Sequence, residues 1–140
     1  EYLESTHKAH MEAIHIKVQK TPIYIRFDLT HLRQILSNLI ENGLRHSEKH
    51  NTQAWVEIEL GLIENRDKPY IIIKDNGAGV ASEKISHIFE PFFTTEEKGS
   101  GLGLYISREL AEINHARLTY SRTENLSCFR IDFQHYQRIR

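Results

Sequence analysis

Between Asp28 and Ser47 the sequence reads "DLTHLRQILSNLIENGLRHS", and its apolar residues Leu32, Ile35, Leu36, Leu39 and Ile40 recur at i, i+3, i+4, i+7 and i+8. That is the spacing of one buried face of an α-helix, with Asp28 or Thr30 placed to cap the first turn. A helix with a single apolar stripe gains most of its stability by laying that stripe on another element. The flanking segments supply a sheet. "AIHIKV" and "IYIRFD", parted by Thr21-Pro22, alternate apolar and polar residues with period two, and "WVEIELGLI" and "YIIIKD" read as a hairpin joined by the polar turn "ENRDKP". "YIIIKD" is apolar almost throughout, which predicts a central, covered strand. "RLTYS" and "CFRIDF" finish as strands, the second pointing Phe129, Ile131 and Phe133 to one face. "SEKISHIFE" reads as a short helix capped by Ser82, and "LGLYISRELAEIN" as a longer one closed by Asn114 and His115. Together these elements predict an α+β fold, a two-layer sandwich with helices packed on one face of a mixed sheet.

Composition narrows the function classes. With 140 residues the chain is expected to be one domain, residues 1–140, large enough to hold a core without staples. Eighteen basic residues against nineteen acidic ones leave a net charge of −1, so no electrostatic case exists for nucleic acid or for a membrane surface. The single cysteine, Cys128, excludes an internal disulfide and fits a reducing, cytoplasmic setting. No apolar run approaches the roughly 20 residues that cross a bilayer. The nine histidines invite a metal, yet neither His7 with His10 nor His46 with His50 is joined by a cysteine or an H-E-x-x-H pattern. Solvated surface is the expectation for them. The chain opens in mid-sequence at a glutamate, which suggests a piece of something larger.

Four short stretches carry chemistry. On the predicted helix Asn38, Asn42 and Arg45 fall at i, i+4 and i+7, a polar stripe along the edge of the apolar one. Asparagine inside a helix is unfavourable by several tenths of a kcal/mol relative to alanine, and glycine, here Gly43, by about 1 kcal/mol. Such concentrated cost suggests a site, although asparagine amides also serve simply to satisfy nearby backbone groups. An amide oxygen suits Mg²⁺, which binds few protein groups and leaves its other positions to water and phosphate, and Arg45 is within a turn of such a phosphate. Glu41, rotated about 60° from Asn38, is expected to face solvent. Next, Asp75 closes an apolar strand and meets Gly77 and Gly79 at once. This is either a plain Asp-Asn-Gly turn or a half-buried acceptor for an exocyclic amine. "IFEPFFTT" crowds Phe89, Phe92 and Phe93 around Pro91; Phe89 reads as core, and the elbow as one anchor of a lid. Last, "EKGSGLGLYI" places three glycines just ahead of a helix, which makes either a flexible loop or an anion site at the helix N-terminus.

The order of these stretches is more specific than any one of them. N-x-x-x-N on a helix, then D-x-G-x-G, then F-x-P-F-F, then G-x-G-L-G-L resemble the four boxes of the ATP-binding catalytic domain of sensor histidine kinases, from about Met11 to Phe133. The resemblance implies the sandwich shared with gyrase, Hsp90 and MutL, with ATP and Mg²⁺ as cofactors. It implies that Asn42 holds Mg²⁺ with Asn38 assisting, and that Arg45 and His46 lie against the phosphates. Asp75 would accept from the adenine amino group while Gly77 and Gly79 shape the base pocket. The elbow residues Phe92, Phe93 and Thr94, and the lid residues Lys98, Gly99, Ser100, Gly101, Leu102, Gly103 and Leu104, would complete the ATP site. The short lid is similar to that of nitrogen-regulation and C4-dicarboxylate kinases, and the tail is similar to that of type IV pilus sensor kinases. Two departures stand out: Leu29 where proline often follows the aspartate, and Gly43 where alanine is usual.

One position separates kinase from hydrolase. Gyrase-like and Hsp90-like ATPases carry a water-activating glutamate four residues before the magnesium asparagine, where this chain has Asn38. An amide is no general base near neutral pH, which favours transfer of the γ-phosphate to another nucleophile. In the family that nucleophile is a histidine followed by an acidic residue and a nearby proline, a context that His7, His10 and His15 all lack. The chain is therefore expected to be the catalytic part alone, monomeric and unable to label itself. Its expected partners are the dimerisation domain that bears the histidine and a response regulator, within a homodimeric parent kinase anchored in a bacterial inner membrane. The alternatives are a nucleotide-sensing or partner-binding module of the same fold without transfer, or a gyrase-type ATPase.

Overall fold

The computed structural model describes residues 13–18, 22–63, 68–94 and 100–134. Five strands form one sheet: β1 (Ile14–Val18), β2 (Val56–Ile63), β3 (Lys68–Asp75), β4 (Arg117–Thr123) and β5 (Leu126–Asp132), in spatial order β1-β2-β3-β5-β4. β1 runs parallel to β2, and the remaining pairs are antiparallel. The parallel step needs a crossover, which helix α1 (Leu29–His50) supplies. Helix α2 (Gly103–Ile113) lies beside α1, so the fold is a mixed sheet with both helices on one face.

Of the two caps the sequence offers, Asp28 is the one that starts α1. Asp28 takes the His31 N–H at 3.0 Å, and its own N–H donates to Asn114 at the end of α2, at 2.9 Å. Lys49 and His50 occupy the last turn, where the helix dipole favours cations. Ile35, Leu39, Ile40 and Leu44 are buried against Val56, Ile58, Ile71 and Ile73 of the sheet and Phe129 and Ile131 of β5. β3 is central, as its apolar composition predicts, but only one of its faces is buried. On the other, Tyr70 donates to Glu59 at 3.0 Å, and the Arg130 guanidinium sits 4.7 Å above the Tyr70 ring. The β4–β5 hairpin turns through Glu124 and Asn125, both at positive φ, the geometry that matches strand twist.

Two local expectations are corrected. "IYIRFD" alternates between half-buried and exposed residues but joins no strand, because extended backbone laid on the rim of the core produces the same period: Phe27 stacks edge-on against Phe133 at 5.5 Å. Ser82–His87 is a 3₁₀ turn, and Ser82 is its first residue rather than a cap. "ENRDKP" lies mostly outside the described residues. Among those residues no helix is long and apolar enough to cross a membrane.

If α1 is held by its buried stripe, Leu39→Ala should cost about 2–5 kcal/mol in urea unfolding. Leu29→Ala, at a position 60% exposed, should move stability by no more than about 0.5 kcal/mol.

Candidate nucleotide site

A cleft of about 660 Å³ opens between α1, the loop that leaves β3, and the glycine turn that enters α2. Along α1 it is lined by Asn38, Glu41, Asn42, Arg45, His46, Lys49 and His50. At 100° per residue these seven span an arc of about 180°, a full polar face of the helix. Glu41 therefore does not point away to solvent. It is half-buried in the cleft wall and accepts from the Ser37 hydroxyl at 3.3 Å, because a 60° rotation from Asn38 still falls within so wide an arc. Asn38 spends its amide N–H groups on α2, donating to the Gly103 carbonyl at 3.2 Å and to the Ser107 hydroxyl at 3.1 Å. Its side chain thus joins the two helices, with its carbonyl oxygen left for the cleft.

Asp75 is 1% exposed at the end of β3. Burial pushes its carboxyl from the usual 3.8 up to about 6, against the opposing pull of the Gly77 N–H at 2.9 Å, the Arg122 charge and the Ser127 hydroxyl. Ser127 reaches it because β5 pairs with β3 in the register Asp75 to Ser127. Gly77 is required by closeness: a Cβ there would lie 2.9 Å from the backbone of His46, so the loop runs hard against α1. Gly79 takes φ +78°, which favours glycine. Asn76 braces the turn, accepting from the Trp55 N–H at 3.0 Å and donating to the Gln53 carbonyl at 3.0 Å, while Asn51 donates to its carbonyl.

On the far wall, Phe93, Thr94, Ser100, Gly101, Gly103 and Leu104 line the cleft. Gly101, at φ +74°, passes so close to Phe92 that a Cβ would sit 2.4 Å from its carbonyl carbon, and the Phe92 N–H donates to the Gly101 carbonyl at 2.8 Å. Gly77, Phe92 and Leu102 do not line the cleft. The Phe92 ring is 74% exposed, and it is the backbone that does the clamping. Phe89 packs edge-on against Phe129 at 6.2 Å, core as expected. Lys98 and Gly99 lie outside the described residues.

Tyr120, Ser127, Val80 and Lys84 line the cleft without any sequence reason to name them. They arrive through the β4–β5 register and the turn after Gly79, which no local pattern in the sequence announces. One end of the cleft now holds a buried acceptor. The other holds amides, a carboxylate and the cations Arg45 and Lys49, a division that suits a base at one end and polyphosphate at the other. Among the described residues no group of three or more His, Cys, Asp or Glu is placed to hold a metal ion. The donor set is instead amide oxygens beside a carboxylate, which fits an ion that keeps phosphate and water in its shell.

Comparison with known proteins identifies the family. The family model described as histidine kinase-, DNA gyrase B-, and HSP90-like ATPase matches residues 27–137. The sensor protein kinase PilS of Pseudomonas aeruginosa is 44% identical over 127 residues, covering 90% of this chain and 24% of that protein. Sporulation kinase A of Bacillus subtilis is 32% identical over 130 residues, 90% of this chain and 20% of that one. The chain thus spans a quarter or less of the length of these two relatives. In structure it is similar to the catalytic domain of the histidine kinase ThkA, with TM-score 0.80 at 21% identity over 96% of this chain and 88% of that one. Full-length ShkA in complex with AMPPNP gives TM-score 0.74 at 28% identity over 94% of this chain and 27% of that one. The chain belongs to the histidine kinase-, DNA gyrase B- and HSP90-like ATPase family, on its sensor histidine kinase branch.

Proposed function

We propose that this chain binds ATP with Mg²⁺ in the cleft and passes the γ-phosphoryl group to a histidine on a separate dimerisation domain of a dimeric parent kinase, from which a response regulator takes it. The observation that carries this is the pairing, in one cleft, of buried Asp75 with the Asn38, Asn42 and Arg45 stripe. Asp75 accepts from an exocyclic amine of the base, and its burial keeps water from competing for that bond. Asn42, with the oxygen of Asn38, would hold Mg²⁺, whose part is to neutralise charge on the terminal phosphates. Arg45 and His46 orient the phosphate chain from α1, and the first N–H groups of α2 face it from the glycine turn. Transfer forms a bond from phosphorus to the imidazole nitrogen of the partner domain and breaks the bond to ADP, and the imidazole proton leaves to solvent. Two kinds of kinship support this assignment: the relatives are named as sensor and sporulation kinases, and ShkA, of similar fold, is found in complex with AMPPNP. We place the domain on the cytoplasmic side, where ATP and a response regulator are met.

ATP hydrolysis has one observation in its favour, Glu41 in the cleft wall. The residue four before Asn42 is still an amide, however, and Glu41 already accepts from Ser37.

Mixed with the histidine-bearing domain of its own kinase and radiolabelled ATP, the chain should transfer label to that domain and retain none itself; phosphate released without transfer, and abolished in Glu41→Gln, would favour the hydrolase instead. In calorimetric titration Asn42→Ala should lose the Mg²⁺-dependent part of nucleotide affinity. Asp75→Asn should weaken adenine nucleotides at least tenfold while making the unliganded domain more stable. The sign follows from its raised pKa: the native state binds the proton more readily than the unfolded chain, so stability is greatest below about pH 4, falls as pH rises to about 6, and is flat above. The asparagine variant removes that loss, a gain of up to about 3 kcal/mol at pH 7.5 that shrinks toward pH 4.

A further inference from the structure

Strand β4 lies at the edge of the sheet remote from β1, yet two of its side chains reach the loop that follows Asp75. The Tyr120 hydroxyl lies 3.1 Å from the Val80 nitrogen and 3.0 Å from the Ser127 hydroxyl, and its ring packs against Phe129 with centroids 4.9 Å apart. A Cβ added to Gly79 would fall 3.2 Å from the Tyr120 oxygen and 1.6 Å from the Arg122 guanidinium, so the loop is pressed against both. Arg122 is itself held by the Asn125 carbonyl at 3.3 Å.

Counting protons gives this cluster a direction. The Val80 N–H can only donate, so the Tyr120 oxygen accepts from it. The Ser127 hydroxyl donates to the same Tyr120 oxygen, and Ser127 stands opposite Asp75 in the β3–β5 register. One phenol oxygen thus ties the loop after Asp75 to the strand that flanks it.

We propose that Tyr120 is a positioning residue for the nucleotide base, fixing the loop that walls the base pocket and holding Ser127 in place beside Asp75, the acceptor for an exocyclic amine. Neither end is held without the hydroxyl: its loss strands the Val80 N–H at the cleft wall and takes from the Ser127 hydroxyl the acceptor that fixes it beside Asp75. The specificity it serves is for a purine that carries an amino group where hypoxanthine carries a carbonyl, because only the amine donates to Asp75 and the carbonyl oxygen would meet a like acceptor. This role rests on the cleft being a nucleotide site.

The test is Tyr120→Phe, which keeps the ring and its contact with Phe129. ADP and inosine diphosphate are titrated into the native and variant proteins in one Mg²⁺ buffer, and melting is followed alongside. ADP affinity should fall about tenfold and inosine diphosphate affinity by less than about twofold, so that the preference for adenine collapses. Ser127→Ala should do the same, and the double variant little more than either alone, because all three break one junction. Should Tyr120→Phe fail to fold, Ser127→Ala carries the measurement. Native binding of ADP with an unchanged preference in the variants overturns the role of Tyr120 alone, as does an equal loss of both nucleotides. A native protein that binds neither nucleotide overturns the nucleotide site and this role together.

Discussion

The burial of one carboxyl, Asp75, is the constraint to which the rest of the site is fitted. A charge taken out of water at the end of a central strand is expensive, and its pKa of about 6 records that cost. At neutral pH the group is nonetheless ionised, so it must be fed donors. The protein supplies the Gly77 N–H from the same loop and the Ser127 hydroxyl from the neighbouring strand, with Arg122 acting at longer range. An acid that is braced but still has acceptor capacity toward a cleft is set up to prefer a ligand that donates. Stability is given up at this residue so that recognition can be sharp, a common arrangement at sites tuned for function rather than for folding.

The same carboxyl explains two glycines, Gly43, which helix preference opposes, and Gly77 in the loop after β3. A Cβ on Gly43 would lie 3.1 Å from Val56 and 3.4 Å from Asp75, and one on Gly77 would lie 2.9 Å from the backbone of His46. α1, β2 and the loop after β3 thus converge with little but backbone between them. Gly43 is buried against the acid itself, so its cost in helix propensity goes with a close approach of α1 to the sheet. Asn38 makes the complementary join on the other side, holding α1 to the start of α2 through Gly103 and Ser107. The cleft is what remains between these two fixed seams.

How far the sequence discloses this depends on the range of each signal. α1 is legible to within a turn of each end, because periodicity and composition are local and agree, although the sequence alone does not choose between Asp28 and Thr30 as its cap. So are the central position of β3 and the α2 helix, and the order of the four boxes alone points to the right family. Placement is less legible. "IYIRFD" alternates like a strand because burial has period two wherever backbone is extended, and nothing in the segment says whether a ladder partner is available. For Glu41 the sequence offers only an angle on the helix, and an angle says nothing of how wide the cleft is. Tyr120 and Ser127 are invisible for a different reason: each matters through a pairing across β4, β5 and β3, and such registers are set by the whole sheet.

The glycine turn and the aromatic elbow illustrate how a local oddity resolves into a joint. Phe92 adopts φ +66°, which costs a bulky side chain about 1 kcal/mol or more, and its ring is left exposed, so side-chain burial does not hold it there. What holds it is the bond from its N–H to the Gly101 carbonyl, together with the glycine that lets the two backbones touch. That single bond ties residue 92 to residue 101, so the chain between them is closed at its base whatever course it takes. The entropy of closing a loop is spent on its ends, and here both ends are already together before a ligand arrives. With Phe93, Thr94 and Ser100 beside the joint and lining the cleft, a nucleotide meets a far wall whose foundation is already in place.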